Sequence, residues 1–241
     1  MIRTFLAAVS LLSILPTGNS MPTEKEMRGV VNYYPVAGVL FALIFYGIGM
    51  GLQFLPLLPA ALLAALLPEA LTKCFHLDGL ADTADAFLSG RSPEQKLEIM
   101  RDSRIGTMGV AAIFGLLAMK FSLFASIPRE NYPMALALMI LGGRCGIVWH
   151  IAFSRYARKQ GLGKLSFETK PTGGLISSAL FISAAGYFFA GWYGLLLLPV
   201  CIAAMFIWSR IAHAVIGGAT GDTIGASEEF SELLFLIFAS L

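Results

Sequence analysis

The chain has 241 residues, of which 57% are hydrophobic and 13% charged. Soluble domains carry roughly 25% charged residues, so the composition excludes an ordinary water-soluble globule and indicates a polytopic membrane protein. A net charge of +2 is too small for nucleic-acid binding, and three scattered cysteines (Cys74, Cys145, Cys201) without a CxxC exclude a disulfide framework and a zinc site.

In chain order, residues 2–15 are apolar but short of the roughly 20 residues a crossing needs. Pro16, Gly18 and the charged run from Glu24 to Arg28 follow, with no small-x-small cleavage site. The segment reads as an uncleaved interfacial or re-entrant helix. Longer apolar segments stand at 30–53, 55–72, 109–127, 132–152, 174–190 and 193–212. They predict an all-α, polytopic transmembrane helix bundle of about six spans, plus shorter interfacial or re-entrant helices, in a single domain 1–241. The stretch 230–241 is again too short to span comfortably.

Lys and Arg in the connections set the topology. The stretch 73–108 holds Lys73, Arg91, Lys96, Arg101 and Arg104, and 153–173 holds Arg155, Arg158, Lys159, Lys164 and Lys170. The connections on the other side hold Arg129 alone. The positive-inside rule then places 16–29, 73–108, 153–173 and 213–229 at the cytoplasm. No internal repeat of the inverted-transporter kind is visible.

The connection 73–108 is the densest chemistry. Asp78, Asp82 and Asp85 stand at i, i+4 and i+7, one face of a helix. Close carboxylates without interleaved lysines need a counter-charge. A divalent cation with oxygen ligands supplies one, and Mg²⁺ commonly links such a site to phosphate; a solvated acidic face is the other reading. The pattern over His76–Leu88 predicts the cytoplasmic end of a helix running out of the second span. Ser92, Pro93 and Glu94 predict a helix start, continued over 93–104 with Gly106 as its stop. Gly217, Gly218, Gly221 and Gly225 surround Asp222, a backbone that suits close approach to phosphate, and Ser227 reads as the cap of a helix carrying Glu228, Glu229 and Glu232. Arg144 lies inside an apolar span, where a charge needs a cavity or a partner, and Lys120 poses the same question. Carboxylates, arginines and a glycine-rich acidic stretch at one membrane face suit phosphoryl or diphosphate chemistry. G-x-S-x-G, GK[ST] and H-E-x-x-H motifs are absent.

The runs His76-Leu-Asp-Gly-Leu-Ala-Asp-Thr-Ala-Asp85, Leu97-Glu-Ile-Met-Arg-Asp-Ser-Arg-Ile-Gly-Thr107 and Gly218-Ala-Thr-Gly-Asp-Thr-Ile-Gly-Ala226, the last with Glu229 and Glu232, resemble in order the three motifs of the cobalamin synthase family, and Pro35–Gly38 resembles its early membrane segment. Ala86, where the family commonly has glycine, and Cys74-Phe75 depart from the pattern without removing a carboxylate. The resemblance implies a Mg²⁺-dependent, multi-pass inner-membrane transferase with its active-site loops, 73–108 and 213–232, at the cytoplasm. It would join adenosylcobinamide-GDP to α-ribazole or α-ribazole 5′-phosphate and release GMP. On that reading Asp78, Asp82 and Asp85 hold the metal, and Asp102 is the catalytic base, with Asp85 or Glu98 as the alternatives. His76, Arg101, Arg104, Arg144, Gly221, Asp222 and Glu229 contact substrate. It leaves room for a homo-oligomer or a complex with other cobalamin-assembly enzymes. A CDP-alcohol phosphotransferase would need Arg where Asp82 stands. A UbiA-type prenyltransferase would need a second aspartate-rich motif, and an ion-coupled transporter would need its carboxylates near mid-membrane.

Overall fold

The computed structural model describes residues 1–18, 22–158 and 161–241; Lys159, counted above among the loop cations, lies outside them. Eleven α-helices form among the described residues, with no strand. The chain begins with α1 (Ile2–Leu12) and α2 (Glu24–Gly29), the latter opened by a reciprocal Thr23–Glu26 capping box. Next come α3 (Tyr34–Leu52), α4 (Leu57–Leu71), α5 (Phe75–Phe87), α6 (Pro93–Ile99) and α7 (Thr107–Ser126). The bundle closes with α8 (Tyr132–Phe153), α9 (Thr172–Ala190), α10 (Leu197–Ile216) and α11 (Gly221–Ala239).

Four stretches are long and apolar enough to cross a membrane, 24–52, 107–126, 129–153 and 172–216, and the bent pair α4–α5 makes a fifth. The stretch 172–216 doubles back on itself. Gly191 has a φ of +60°, and Gly186 meets Gly194 backbone to backbone. A continuous helix rising about 1.5 Å per residue would hold those two about 12 Å apart. With α9 and α10 counted separately the crossings come to six, as the hydropathy pattern predicts.

At the centre lies α8, buried along nearly its whole length. Helix α3 runs antiparallel to it, with Gly38 against Arg144 and Gly49 against Pro133. On another side α11 packs where Gly142, Gly143 and Gly146 meet Phe235, Glu232 and Ser231. Lipid supplies no hydrophobic drive between helices, so close contact at small residues carries such interfaces.

Three expectations are corrected. The acidic segment is not the end of the second span: α5 is turned 90° from α4. The turn is made at Lys73 and Cys74, both non-glycine residues with positive φ (54° and 59°). The break directs the acidic helix across α4 instead of continuing it. Helix α6 stops at Ile99 rather than 104, because Gly106 caps α7 instead of ending α6. And α11 starts at Thr220, not Ser227: the Thr220 hydroxyl accepts from the Thr223 amide while Thr223 Oγ1 accepts from the Thr220 amide at 2.9 Å. Glu228, Glu229 and Glu232 consequently lie inside the bundle rather than in a surface loop.

The polar connections meet on one face. Thr169 donates to the Arg28 carbonyl (2.5 Å), Arg28 pairs with Glu168 (3.2 Å), and Arg158 donates to the Met100 carbonyl (3.4 Å). Tyr156 and Ala219 form a parallel bridge.

Candidate active site

The open face of α5 is acidic because its other face is packed. Asp78 is exposed and Asp82 and Asp85 are half-buried, while His76, Leu77, Gly79, Leu80, Ala81, Thr83 and Ala86 are buried. From Asp78 to Asp85 the row covers about 10 Å of helix. Asp85 accepts the Gly106 amide at 2.7 Å and the Gly109 amide at 2.9 Å, so it caps α7 from a neighbouring helix.

The fourth carboxylate, Asp222, arrives from the first turn of α11. Gly79 lets it come close: a Cβ there would lie 2.8 Å from the Asp222 carbonyl oxygen and 3.1 Å from its Cα. The Asp222 carboxylate accepts from Thr220 Oγ1 (3.2 Å) and Arg158 Nη2 (2.9 Å). Burial nevertheless raises its pKa above the ordinary range. Burial, together with the charges of Asp222, Asp78 and Asp85, pushes the Asp82 carboxyl up to about 7, with Arg158 opposing. Like charges held together this way favour a proton or a cation among them.

At the rim, Arg101 is exposed, and Arg104 is committed to Asp102 through Nε (2.9 Å) and Nη2 (2.5 Å). Those hydrogen bonds hold the Asp102 carboxyl down at about 2. The sequence-predicted base is therefore a weak proton acceptor, and the alternative, Asp85, has both oxygens engaged.

Below the acidic face lies a buried ionic network. Lys120 Nζ donates to Glu69 (2.7 Å), Glu229 (2.7 Å) and Glu232 (2.8 Å). Arg144 pairs with Glu228 and Glu232, and Glu228 Oε2 stands 3.1 Å from His76 Nδ1. Glu69, Glu229 and Glu232 offer oxygens within 4.8 Å of one another, the spacing of a metal site, but the Lys120 ammonium already sits among them.

The structure thus brings Asp78, Asp82, Asp85, Gly221 and Asp222 together, and leaves Arg101, Asp102 and Arg104 at the rim. It places His76, Arg144 and Glu229 in the network instead of on the open face, because each finds its partner inside the bundle. Sequence reasoning missed Arg158, counted only as a loop cation, and Glu69. An acid inside an apolar span, matched by Lys120 and Arg144 in two others, was the available signal for the network.

A six-crossing helical bundle whose carboxylates converge on one polar face defines a multi-pass integral-membrane protein with an acidic site at one membrane boundary. The cobalamin-5-phosphate synthase family model matches residues 4–240, and the chain belongs to that family. It is 38% identical over 246 aligned positions to a protein of Citrobacter koseri named adenosylcobinamide-GDP ribazoletransferase, covering 98% of this chain and 99% of that one. No solved structure matches it.

Proposed function

We propose that this protein is an adenosylcobinamide-GDP ribazoletransferase acting in cobalamin synthesis. It transfers the cobinamide phosphate of adenosylcobinamide-GDP to α-ribazole or α-ribazole 5′-phosphate and releases GMP. The observation that carries the reading is the family match across 4–240, together with the geometry that packs Asp222 beside the Asp78–Asp82 face. That match favours this activity over the CDP-alcohol, prenyl-transfer and transport readings.

The donor set fits Mg²⁺. Among the described residues Asp78 and Asp82 accept no hydrogen bond and form no ion pair, and Asp222 joins them from α11. These are hard oxygen donors of the kind that hold Mg²⁺. Asp78, Asp82 and Asp222 would hold the ion, and Asp85 fixes α7 beside them. When bound, Mg²⁺ neutralises the diphosphate oxygens.

In the reaction a ribose hydroxyl oxygen of α-ribazole bonds to the phosphorus attached to cobinamide. The bond from that phosphorus to the oxygen of GMP breaks, and the hydroxyl proton passes to water or to a carboxylate of the acidic face. Phosphoryl transfer through a loose transition state depends mainly on positioning and charge. That fits a site where Asp102 and Asp85 are engaged elsewhere. The cation-rich connections on this side support a cytoplasmic orientation of the acidic face in the inner membrane.

The test is direct. Purified protein in lipid nanodiscs, given adenosylcobinamide-GDP, α-ribazole and Mg²⁺, releases GMP and forms the cobalamin product. Absence of GMP from protein that melts cooperatively refutes the activity. Near-normal turnover by Asp82→Asn refutes the metal assignment.

A further inference from the structure

The connection after α8 is tied to the start of α11 by backbone. The Ala157 amide donates to the Ala219 carbonyl at 2.8 Å, and the Ala219 amide donates to the Arg155 carbonyl at 2.8 Å. Arg155 Nε adds a bond to the Gly217 carbonyl at 3.1 Å. Gly218 is required by this pairing, since a Cβ there would run into the Arg155 carbonyl and stand 3.1 Å from the Ala157 amide. Glycines that look like a phosphate loop therefore serve as a clamp, and what the clamp delivers is Arg158.

Arg158 reaches into the acidic cluster with its side chain 14% exposed. Nη2 bonds Asp222 at 2.9 Å and the Met100 carbonyl at 3.4 Å. Among the described residues Nε is buried without a partner and Nη1 makes no hydrogen bond, with the Tyr156 hydroxyl close to the guanidinium. Nε and Nη1 are thus unpaired beside Asp82, whose charge the guanidinium feels. Each edge that can match two phosphate oxygens, Nε/Nη2 or Nη1/Nη2, includes Nη2, so a phosphate takes both contacts only by displacing Asp222. The other arginines near the face are poorer candidates: Arg104 spends its Nε/Nη2 edge on Asp102 and is exposed, and Arg101 is exposed at the rim.

We propose that Arg158 is the guanidinium that grips the diphosphate of the nucleotide-bearing substrate, and that it does so by exchanging partners. In the empty site it neutralises Asp222. When the substrate binds, Asp222 is released to the cation and Arg158 takes phosphate oxygens. The proposal rests on the phosphoryl-transfer reading but is tested on binding alone.

The probe is GDP, titrated by calorimetry into nanodisc protein with and without Mg²⁺, with melting measured alongside. Arg158→Ala weakens GDP binding at least about tenfold and lowers kcat/KM for adenosylcobinamide-GDP about a hundredfold, the scale for losing a charge-assisted phosphate contact. The KM for α-ribazole stays within about twofold, since uniform binding of that substrate is untouched. Added guanidinium ion restores part of the lost turnover, which a merely structural arginine would not allow. Asp222→Asn frees the guanidinium, so GDP binding without Mg²⁺ tightens at least about threefold, as removal of a competing partner requires. Folded Arg158→Ala with GDP affinity unchanged overturns the proposal, and so does weaker Mg²⁺-free binding by Asp222→Asn. If Arg158→Ala does not fold, Arg158→Lys replaces it. Weaker GDP binding at normal melting then supports the proposal, and unchanged binding overturns it. Wild-type protein that binds GDP through Arg158 yet releases no GMP refutes the activity and leaves this assignment standing.

Discussion

Lys120→Met is the sharpest test of how the bundle is held. The Lys120 ammonium is fully buried and donates to three carboxylates, Glu69, Glu229 and Glu232, at 2.7–2.8 Å. Methionine keeps the length and the apolar stem and removes the charge. Three glutamates then face one another, and of them only Glu232 keeps a cationic partner, Arg144. Breaking a buried pair by deleting one partner costs about 3–5 kcal/mol, because the remaining charge is left uncompensated. At about 2–4 °C per kcal/mol for a chain of this size, melting in detergent drops by roughly 6–20 °C. The companion Lys120→Met/Glu229→Gln removes one of the stranded charges and recovers part of the loss, a coupling of about 0.5–3 kcal/mol. A single variant that melts within about 2 °C of wild type, below the shift of 1 kcal/mol, would mean that the network contributes little and that packing alone sets the helix arrangement.

Four further outcomes follow from the same geometry. Gly79→Ala forces its Cβ to 2.8 Å from the Asp222 carbonyl oxygen; the helices must part, stability falls by about 1–3 kcal/mol, and Mn²⁺ binding followed by paramagnetic resonance weakens with it. Asp82, at about 7 against its ordinary 3.8, gives up a proton before it takes a cation, so Mn²⁺ affinity rises from about pH 6 to about pH 8, and Asp82→Asn flattens that slope. The same raised pKa makes the cation-free protein lose stability as pH climbs from 3.8 through about 7, since the folded state holds the extra proton. Asp102→Asn lowers turnover by less than about tenfold, because a carboxyl held at about 2 by Arg104 is not the base; a loss of about 10²–10⁴ restores it to that role.

The crossings were legible because apolar runs end at Pro, Gly or charge, so the spans read from hydropathy agree with the helices to within a few residues. The acidic face was legible because i, i+4, i+7 spacing is a local property. The 90° turn before α5 was not: Lys73 and Cys74 carry the left-handed conformation that glycine or asparagine usually marks. The start of α11 was misplaced because Ser227 looks like a cap, whereas the Thr220–Thr223 reciprocity sets it at Thr220. The pairings within the network, and the role of Arg158, were illegible for a different reason. Their partners are far apart in the chain, 109 residues between Lys120 and Glu229 and 64 between Arg158 and Asp222. No local pattern specifies such pairs.

The distribution of charge explains why the acidic site needs the network beneath it. Asp78 and Asp82 on α5 and Asp222 on α11 repel, so α5 and α11 would separate if only their surface residues decided. Gly79 and Gly225 remove the steric barrier to contact, which permits closeness but does not enforce it. Enforcement comes from below. Glu228 of α11 pairs with Arg144 of α8 and stands beside His76 of α5, while Glu229 and Glu232 of α11 share Lys120 of α7 with Glu69 of α4. Each of these helices is thereby joined to α11 at a depth where water does not compete, and a low-dielectric environment makes each link stronger than the same contact at the surface. The carboxylates above are held in place before any counter-ion arrives, so a cation that binds there need not first organise the helices.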